Sequence, residues 1–325
     1  MFTERNKDGS LLCSLCPNRC VIPKGKSGRC GTRYNTPEGL GLPYYGALSA
    51  VSSDPIEKKP LYHYHPGREI FSVGFYGCSL LCPFCQNFTI SRRLPADPDI
   101  TAPEELVKLA GASGSFGIAY TYSEPLIHYE YITETARIAR KAGLKNVLVT
   151  NGYLNEQPAR ELLPLFDAAN IDLKSFNPDF YREELHGNME PVKEFIILAA
   201  EKIHVEVTTL VIPGKNDSVG EIEAIAAFIA SIDPLIPLHL SCYYPMYKYS
   251  ISPTPPETVM KLAERARLHL SYVYPGNIHS GKPVTTSCLS CGNTLITRLG
   301  YYVSKPGIHD GACSKCGSPV PFHGI

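Results

Sequence analysis

The chain has 325 residues, room for about two domain-sized units or for one large barrel with small appendages. Apolar residues make up 44% of it, enough for a substantial core, and 31 Lys and Arg balance 31 Asp and Glu, so no general attraction to polyanions is expected and nucleic acid is disfavoured as a partner. No run of 18 apolar residues offers a membrane span, and Met1 to Asp8 lacks the apolar core of a signal peptide, which together predict a cytoplasmic protein.

Twelve cysteines are present, and eleven fall into three groups built on C-x2-C or C-x3-C spacing. In a reducing compartment such grouping indicates metal ligands rather than disulfides. Cys242 stands alone and reads as a buried structural thiol.

In chain order, residues 1–50 carry Cys13, Cys16, Cys20 and Cys30, four thiolates within 18 residues, with Gly25 and Gly28 letting the loop bend back. The segment has little core of its own, so bound metal is expected to fold it; zinc and an auxiliary iron–sulfur cluster are both compatible with four thiolates. Asp54 to Gly67 carries Pro55, Pro60 and Pro66 before its closing glycine and reads as an ordered linker, with Glu57 and Lys58 as solvated charges, the alternative being a place at the active-site edge, and His63 and His65 as loop residues. Ile70 to Tyr76 reads as a strand running into a loop with Cys78, Cys82 and Cys85 at C-x3-C-x2-C spacing. Three soft ligands leave a fourth position open, so we read them as ligands of a [4Fe–4S] cluster with one free iron. A zinc knuckle closed by His63, His65 or Cys242 is the alternative.

Strand and helix signals then alternate. Strands are expected at 116–121, 145–150, 169–174, 203–210, 237–241 and 272–274. Capping signals at Thr101 with Glu104, Ser218 with Glu221 and Thr254 with Glu257 open three helices, and another runs from Pro125 to near Gly143. Such alternation predicts an α/β fold with a parallel sheet over residues 51–280 and helices outside it. Polar residues collect where strands end: Ser123 and Glu124, Asn151, then Asp172 and Lys174. Strand ends are where α/β barrels bind ligands. In residues 281–325 the pairs Cys288/Cys291 and Cys313/Cys316 predict a zinc ribbon joined by a hairpin through Tyr301 to Val303, with a rubredoxin-like iron as the alternative.

The Cys78 triad, with the aromatic Phe84 before its last cysteine, resembles the signature of the radical S-adenosylmethionine superfamily. The resemblance implies a partial (β/α)6 barrel. It also implies S-adenosylmethionine chelated at the free iron, reductive cleavage to a 5′-deoxyadenosyl radical, and hydrogen abstraction from a substrate. A zwitterionic ligand needs an acceptor for its ammonium and a donor for its carboxylate, which Glu124 and Lys174 offer, while Asp172 suits ribose hydroxyls. Ser123-Glu124-Pro125 stands in place of the superfamily's Gly-Gly-Glu-Pro motif, with Tyr122 and Ser123 where glycines are usual. Asp172 and Lys174 match an Asp-x-Lys of pyruvate formate-lyase activating enzymes, and Asn151 lies in their Thr-Asn-Gly. Val149 and Tyr247 depart from that pattern, which has an acidic residue and a histidine there.

A match over nearly the whole chain is to the AmmeMemoRadiSam-type radical enzymes. It rests on the first cysteine run, Asp54 to Pro60, Ala119 to Pro125, Val273 to Asn277 and the cysteine tail. It implies a flavodoxin- or ferredoxin-type electron donor and Memo-like and AMMECR-like partners. The expected function is radical chemistry on a small molecule or a protein residue, with glycyl-radical enzyme activation as one form. RNA modification and a non-enzymatic metal scaffold or electron-transfer module are the competing readings.

Overall fold

The computed structural model describes residues 2–278 and 281–325; the expected barrel boundary at 280 lies outside them. Eight strands form one sheet: β1 (Leu48–Pro55), β2 (Glu69–Phe75), β3 (Gly117–Thr121), β4 (Lys145–Thr150), β5 (Ala168–Asp172), β6 (His204–Val211), β7 (Leu238–Cys242) and β8 (Val273–Gly276). Their spatial order is their chain order. The β1–β2 pair is antiparallel and every later pair is parallel. Among the helices of the crossovers, those of seven or more residues are α1 (Pro103–Ala112), α2 (Tyr129–Lys141), α3 (Glu156–Leu162), α4 (Glu190–Ala200), α5 (Val219–Ile232) and α6 (Pro256–Ala266). β1 and β8 end the sheet without pairing to each other, so the barrel is partial.

The physical basis is visible strand by strand. All five residues of β3 are buried, as are four of the five in β5, because both faces of a parallel strand are covered. On α5 the stripe Ile222, Ile225, Ala226 and Ile229 is buried against the sheet, as its helical spacing requires. Ser218 caps α5, accepting from the Glu221 N–H at 3.1 Å, but the Glu221 carboxylate reaches instead to the Phe176 N–H at 2.6 Å. Two expected caps are not made. Ala102 and Pro255 occupy the N-cap positions of α1 and α6, where proline at the first helical position makes a side-chain cap dispensable. Thr254 instead donates to the Val211 carbonyl at 2.6 Å.

β1 was not expected. Its central residues are exposed and weakly apolar, so no period marks it; the unpaired edge of β2 makes it a strand. The reading of Glu57 as a solvated charge is also corrected. Glu57 is 4% exposed, accepts from the Gly67 N–H at 2.8 Å and lies 4.0 Å from Arg298 Nε. Lys59 is buried deeper, between Asp54 at 2.8 Å and the Tyr122 hydroxyl at 3.1 Å.

Before the barrel, Thr3–Arg5, Leu11–Cys13 and Val21–Ile22 form a small antiparallel sheet, and Tyr34–Thr36 pairs with Gly39–Gly41. After it come β9 (Val284–Ser287), β10 (Thr294–Leu299) and β11 (Tyr302–Ser304), an antiparallel sheet containing the expected hairpin. The tail is tied to the barrel. Arg298 donates to the Tyr62 carbonyl at 2.6 Å, and His323 exchanges backbone hydrogen bonds with His63 and His65. No helix among the described residues is long and apolar enough to cross a membrane.

Candidate active site

The loop that follows β2 turns at Gly77, whose φ is +80°. A Cβ there would lie 2.4 Å from the Cys30 carbonyl oxygen, so only glycine lets the loop press against the N-terminal segment. Beyond it Cys78, Cys82 and Cys85 line a cavity of about 470 Å³ at the C-terminal rim of the strands. Phe84, Ser123, Glu124, Asn151, Asp172 and Lys174 line the same cavity. All nine residues singled out for the cluster and its ligand are thus brought together by the ends of β2, β3, β4 and β5. His63, His65 and Cys242 do not line it. A larger cleft of about 990 Å³ opens at the opposite rim, beside His204, Phe322 and His323, and holds none of the cysteines.

Glu124 fastens two strand ends together. Its carboxylate accepts from the Leu126 N–H at 3.0 Å, the Thr150 hydroxyl at 2.6 Å and the Asn151 N–H at 2.9 Å. Asn151 Nδ2 reaches the Cys78 sulfur at 3.6 Å and the Ser79 hydroxyl at 3.3 Å. Lys174 Nζ lies 2.8 Å from an Asp172 carboxylate oxygen. Phe84 is buried beside Phe180 and Tyr249. Ser123 donates its hydroxyl to the Gly77 carbonyl, joining the β3 end to the cysteine loop.

The electrostatics follow from burial. Burial pushes the Cys82 thiol up to about 11, and Cys78 is raised further for the same reason, so these thiols ionise only when a metal draws off their protons. Burial also pushes the Glu124 carboxyl up to about 7, more than its hydrogen bonds from Thr150, Asn151 and Leu126 offset. Because this folded value exceeds the ordinary 4.5, stability from Glu124 is fully present below 4.5 and is lost as pH rises through about 7. Thermal melts of Glu124→Gln from pH 4.5 to 8 should show a flatter decline than the parent protein; an unchanged slope would remove Glu124 as its source.

Among the described residues, Cys288, Cys291, Cys313 and Cys316 bring their sulfurs within 4.8 Å of one another; neither other cysteine group forms such a set. A single tetrahedral zinc holds its thiolate sulfurs about 3.8 Å apart, given Zn–S bonds of about 2.3 Å. The tail matches, with Cys288 to Cys316 and Cys291 to Cys313 both at 3.7 Å. The wider Cys78 triad suits a cluster, where each thiolate caps a different iron.

The cavity has further lining: Glu57 and Asn277, which lie in the stretches Asp54 to Pro60 and Val273 to Asn277, and Tyr62, His239, Ser241 and Tyr301, which no motif marked. One signal was present. Glu206 sits between Val205 and Val207, and His239 between Leu238 and Leu240, polar groups flanked by buried apolar residues in strands of the barrel. Glu206 is buried and accepts from His239 Nε2 at 2.7 Å, His204 Nε2 at 3.0 Å, the His63 N–H at 2.7 Å and the Tyr62 N–H at 3.0 Å.

Comparison with known proteins bears on the family and the fold. The sequence profile of the Radical SAM superfamily matches residues 72–229. An uncharacterised protein of Methanocaldococcus jannaschii is 37% identical, over 98% of this chain and 98% of that protein. Pyruvate formate-lyase 1-activating enzyme of Escherichia coli K12 is 24% identical, over 55% of this chain and 76% of the enzyme. The crystal structure of Streptococcus suis SuiB bound to S-adenosylmethionine superposes with a TM-score of 0.50 at 14% identity, covering 66% of this chain and 50% of that one.

Proposed function

This chain belongs to the radical SAM superfamily and is an enzyme of that class, and from this premise we propose that Cys78, Cys82 and Cys85 hold a [4Fe–4S] cluster whose open iron faces a bound S-adenosylmethionine. A cluster bound there would supply the one electron for reductive cleavage of S-adenosylmethionine to methionine and a 5′-deoxyadenosyl radical, the species that would take hydrogen from the substrate. The observation that carries the reading is the shared cavity, in which three cysteines meet a carboxylate from the end of β3 and a lysine from the end of β5.

Each residue has a definite task in this reading. The Lys174 ammonium binds the carboxylate end of the ligand, exchanging part of its contact with Asp172. Asp172 is thereby freed to accept ribose hydroxyls. Glu124, ionised above about pH 7, receives the ligand ammonium on its remaining lone pairs. Asn151 donates toward the Cys78 sulfur and steadies the loop. Phe84 excludes water from the cysteine side.

The substrate is a protein residue or a small molecule. The similarity to an activating enzyme favours a protein residue, as in glycyl-radical activation. Electrons come from a flavodoxin- or ferredoxin-type donor. The C-terminal four cysteines hold one structural zinc in this reading, and residues 1–50, 51–280 and 281–325 act as cysteine module, barrel and ribbon.

Anaerobic protein reconstituted with iron and sulfide should, with dithionite and S-adenosylmethionine, release 5′-deoxyadenosine and methionine in equal amounts. Product no greater than in the unreduced control would overturn the proposal.

A further inference from the structure

The N-terminal cysteines are not arranged as the C-terminal ones are. Cys13, Cys16, Cys20 and Cys30 surround one recess, walled by Leu15, Ile22 and Ile127. Their sulfurs do not converge to the single-ion spacing that the tail cysteines reach in the same structure. Four cysteines about a common recess, no three with sulfurs within 4.8 Å of one another, fit a polynuclear centre whose irons each take one ligand.

The surroundings point the same way. Arg33 is buried at the edge of the recess, with both terminal nitrogens on the Glu130 carboxylate at 2.7 and 2.8 Å. Its Nε is buried without a hydrogen-bond partner. A buried guanidinium N–H with no acceptor is unfavourable, and an anionic sulfur centre in the recess beside Arg33 would lessen that cost. Donors already reach the thiols: the Arg29 N–H lies 3.5 Å from the Cys20 sulfur, and the Thr32 hydroxyl 3.4 Å from that of Cys30. Hydrogen bonds to sulfur are a means by which proteins set cluster potentials.

The recess also adjoins the cavity of the Cys78 triad. The Cys30 carbonyl packs on Gly77, next to Cys78, and Asn18, between Cys16 and Cys20, donates to the Ser79 carbonyl at 2.8 Å. Ile127 contributes to the recess from the segment directly after Glu124 and Pro125. The two cysteine loops are therefore in direct contact.

We propose that Cys13, Cys16, Cys20 and Cys30 ligate a second cluster of the [4Fe–4S] type, which passes single electrons to the cluster at Cys78, Cys82 and Cys85. The second cluster takes one electron from a reduced flavodoxin- or ferredoxin-type protein, and returns to its oxidised form on giving it up. No bond is made or broken in the transfer. The relay rests on the function proposed above; the metal assignment does not.

Iron, sulfide and zinc analysis of anaerobically prepared protein tests the assignment. The parent protein should hold roughly eight irons and about one zinc, and a variant with Cys78, Cys82 and Cys85 all changed to alanine roughly four irons. That variant should give a dithionite-reduced paramagnetic signal that S-adenosylmethionine does not shift. Parent protein with roughly four irons and two zincs overturns the assignment, whether or not the variants fold. Failure of the function above has a different signature, in which iron is complete but S-adenosylmethionine leaves the parent spectrum unchanged.

The relay is read from the double variant Cys16→Ser, Cys20→Ser. Flavodoxin-driven 5′-deoxyadenosine formation should fall about tenfold or more while dithionite-driven formation persists. Equal retention with both reductants overturns the relay.

Discussion

Changing Cys82 to alanine should take S-adenosylmethionine cleavage to the level of a protein-free control, a loss on the order of 10³-fold or more. The size of the effect follows from what the thiol is proposed to do. A missing ligand removes the route by which the electron reaches the sulfonium, and no neighbouring group replaces it. The surrounding loop should survive. Its backbone is held independently, by the Leu81 N–H on the Leu185 carbonyl at 3.0 Å and by Asn18 on the Ser79 carbonyl at 2.8 Å. Iron content should therefore fall by roughly four per chain while the melting transition of metal-free protein stays in place. Product undiminished in the alanine variant would show that Cys82 is not a ligand of the reacting cluster.

The largest stability effect is expected away from the cysteines. Glu206→Ala should destabilise the protein by several kcal/mol, at about 1–3 kcal/mol for each buried donor left without an acceptor. Four donors converge on this carboxylate, from Tyr62, His63, His204 and His239, and all would lose their acceptor inside the barrel. Burial alone would raise the Glu206 carboxyl, but the hydrogen bonds from His204 and His239 outweigh it and hold the group well below 4.5. Its folded value is thus lower than its unfolded one. The stabilisation is present above 4.5 and is lost as pH falls through the folded value, on the acid side. Denaturant unfolding at neutral pH measures the loss directly, and a change under about 1 kcal/mol would mean that the four donors find other partners. His239 also lines the active cavity, so its orientation depends on the same carboxylate.

Much of the barrel was readable without coordinates, for a local reason. β2 through β8 announce themselves as short apolar, β-branched runs, and helices such as α5 show their buried stripe at helical spacing. β1 escaped because an edge strand with exposed serines has no such pattern, and its partner strand alone defines it. Glu57 was misread for a related reason. A charge in a proline-rich stretch is ordinarily solvated, but the side chain that covers this one, Arg298, is far off in the chain.

The chain itself determined the chemistry on offer: three thiols within eight residues, and polar groups where successive strands stop. Those features depend on covalent spacing and on backbone period, both written in consecutive residues. Only the tertiary structure decided how far apart the thiols stand, which separates the tail set from the other two groups. Only it placed Cys30 against Gly77, gathered four donors on Glu206, and set Arg298 on the Tyr62 carbonyl, 236 residues away. Such contacts form when hydrophobic burial brings distant segments together, and no local pattern encodes which segments will meet.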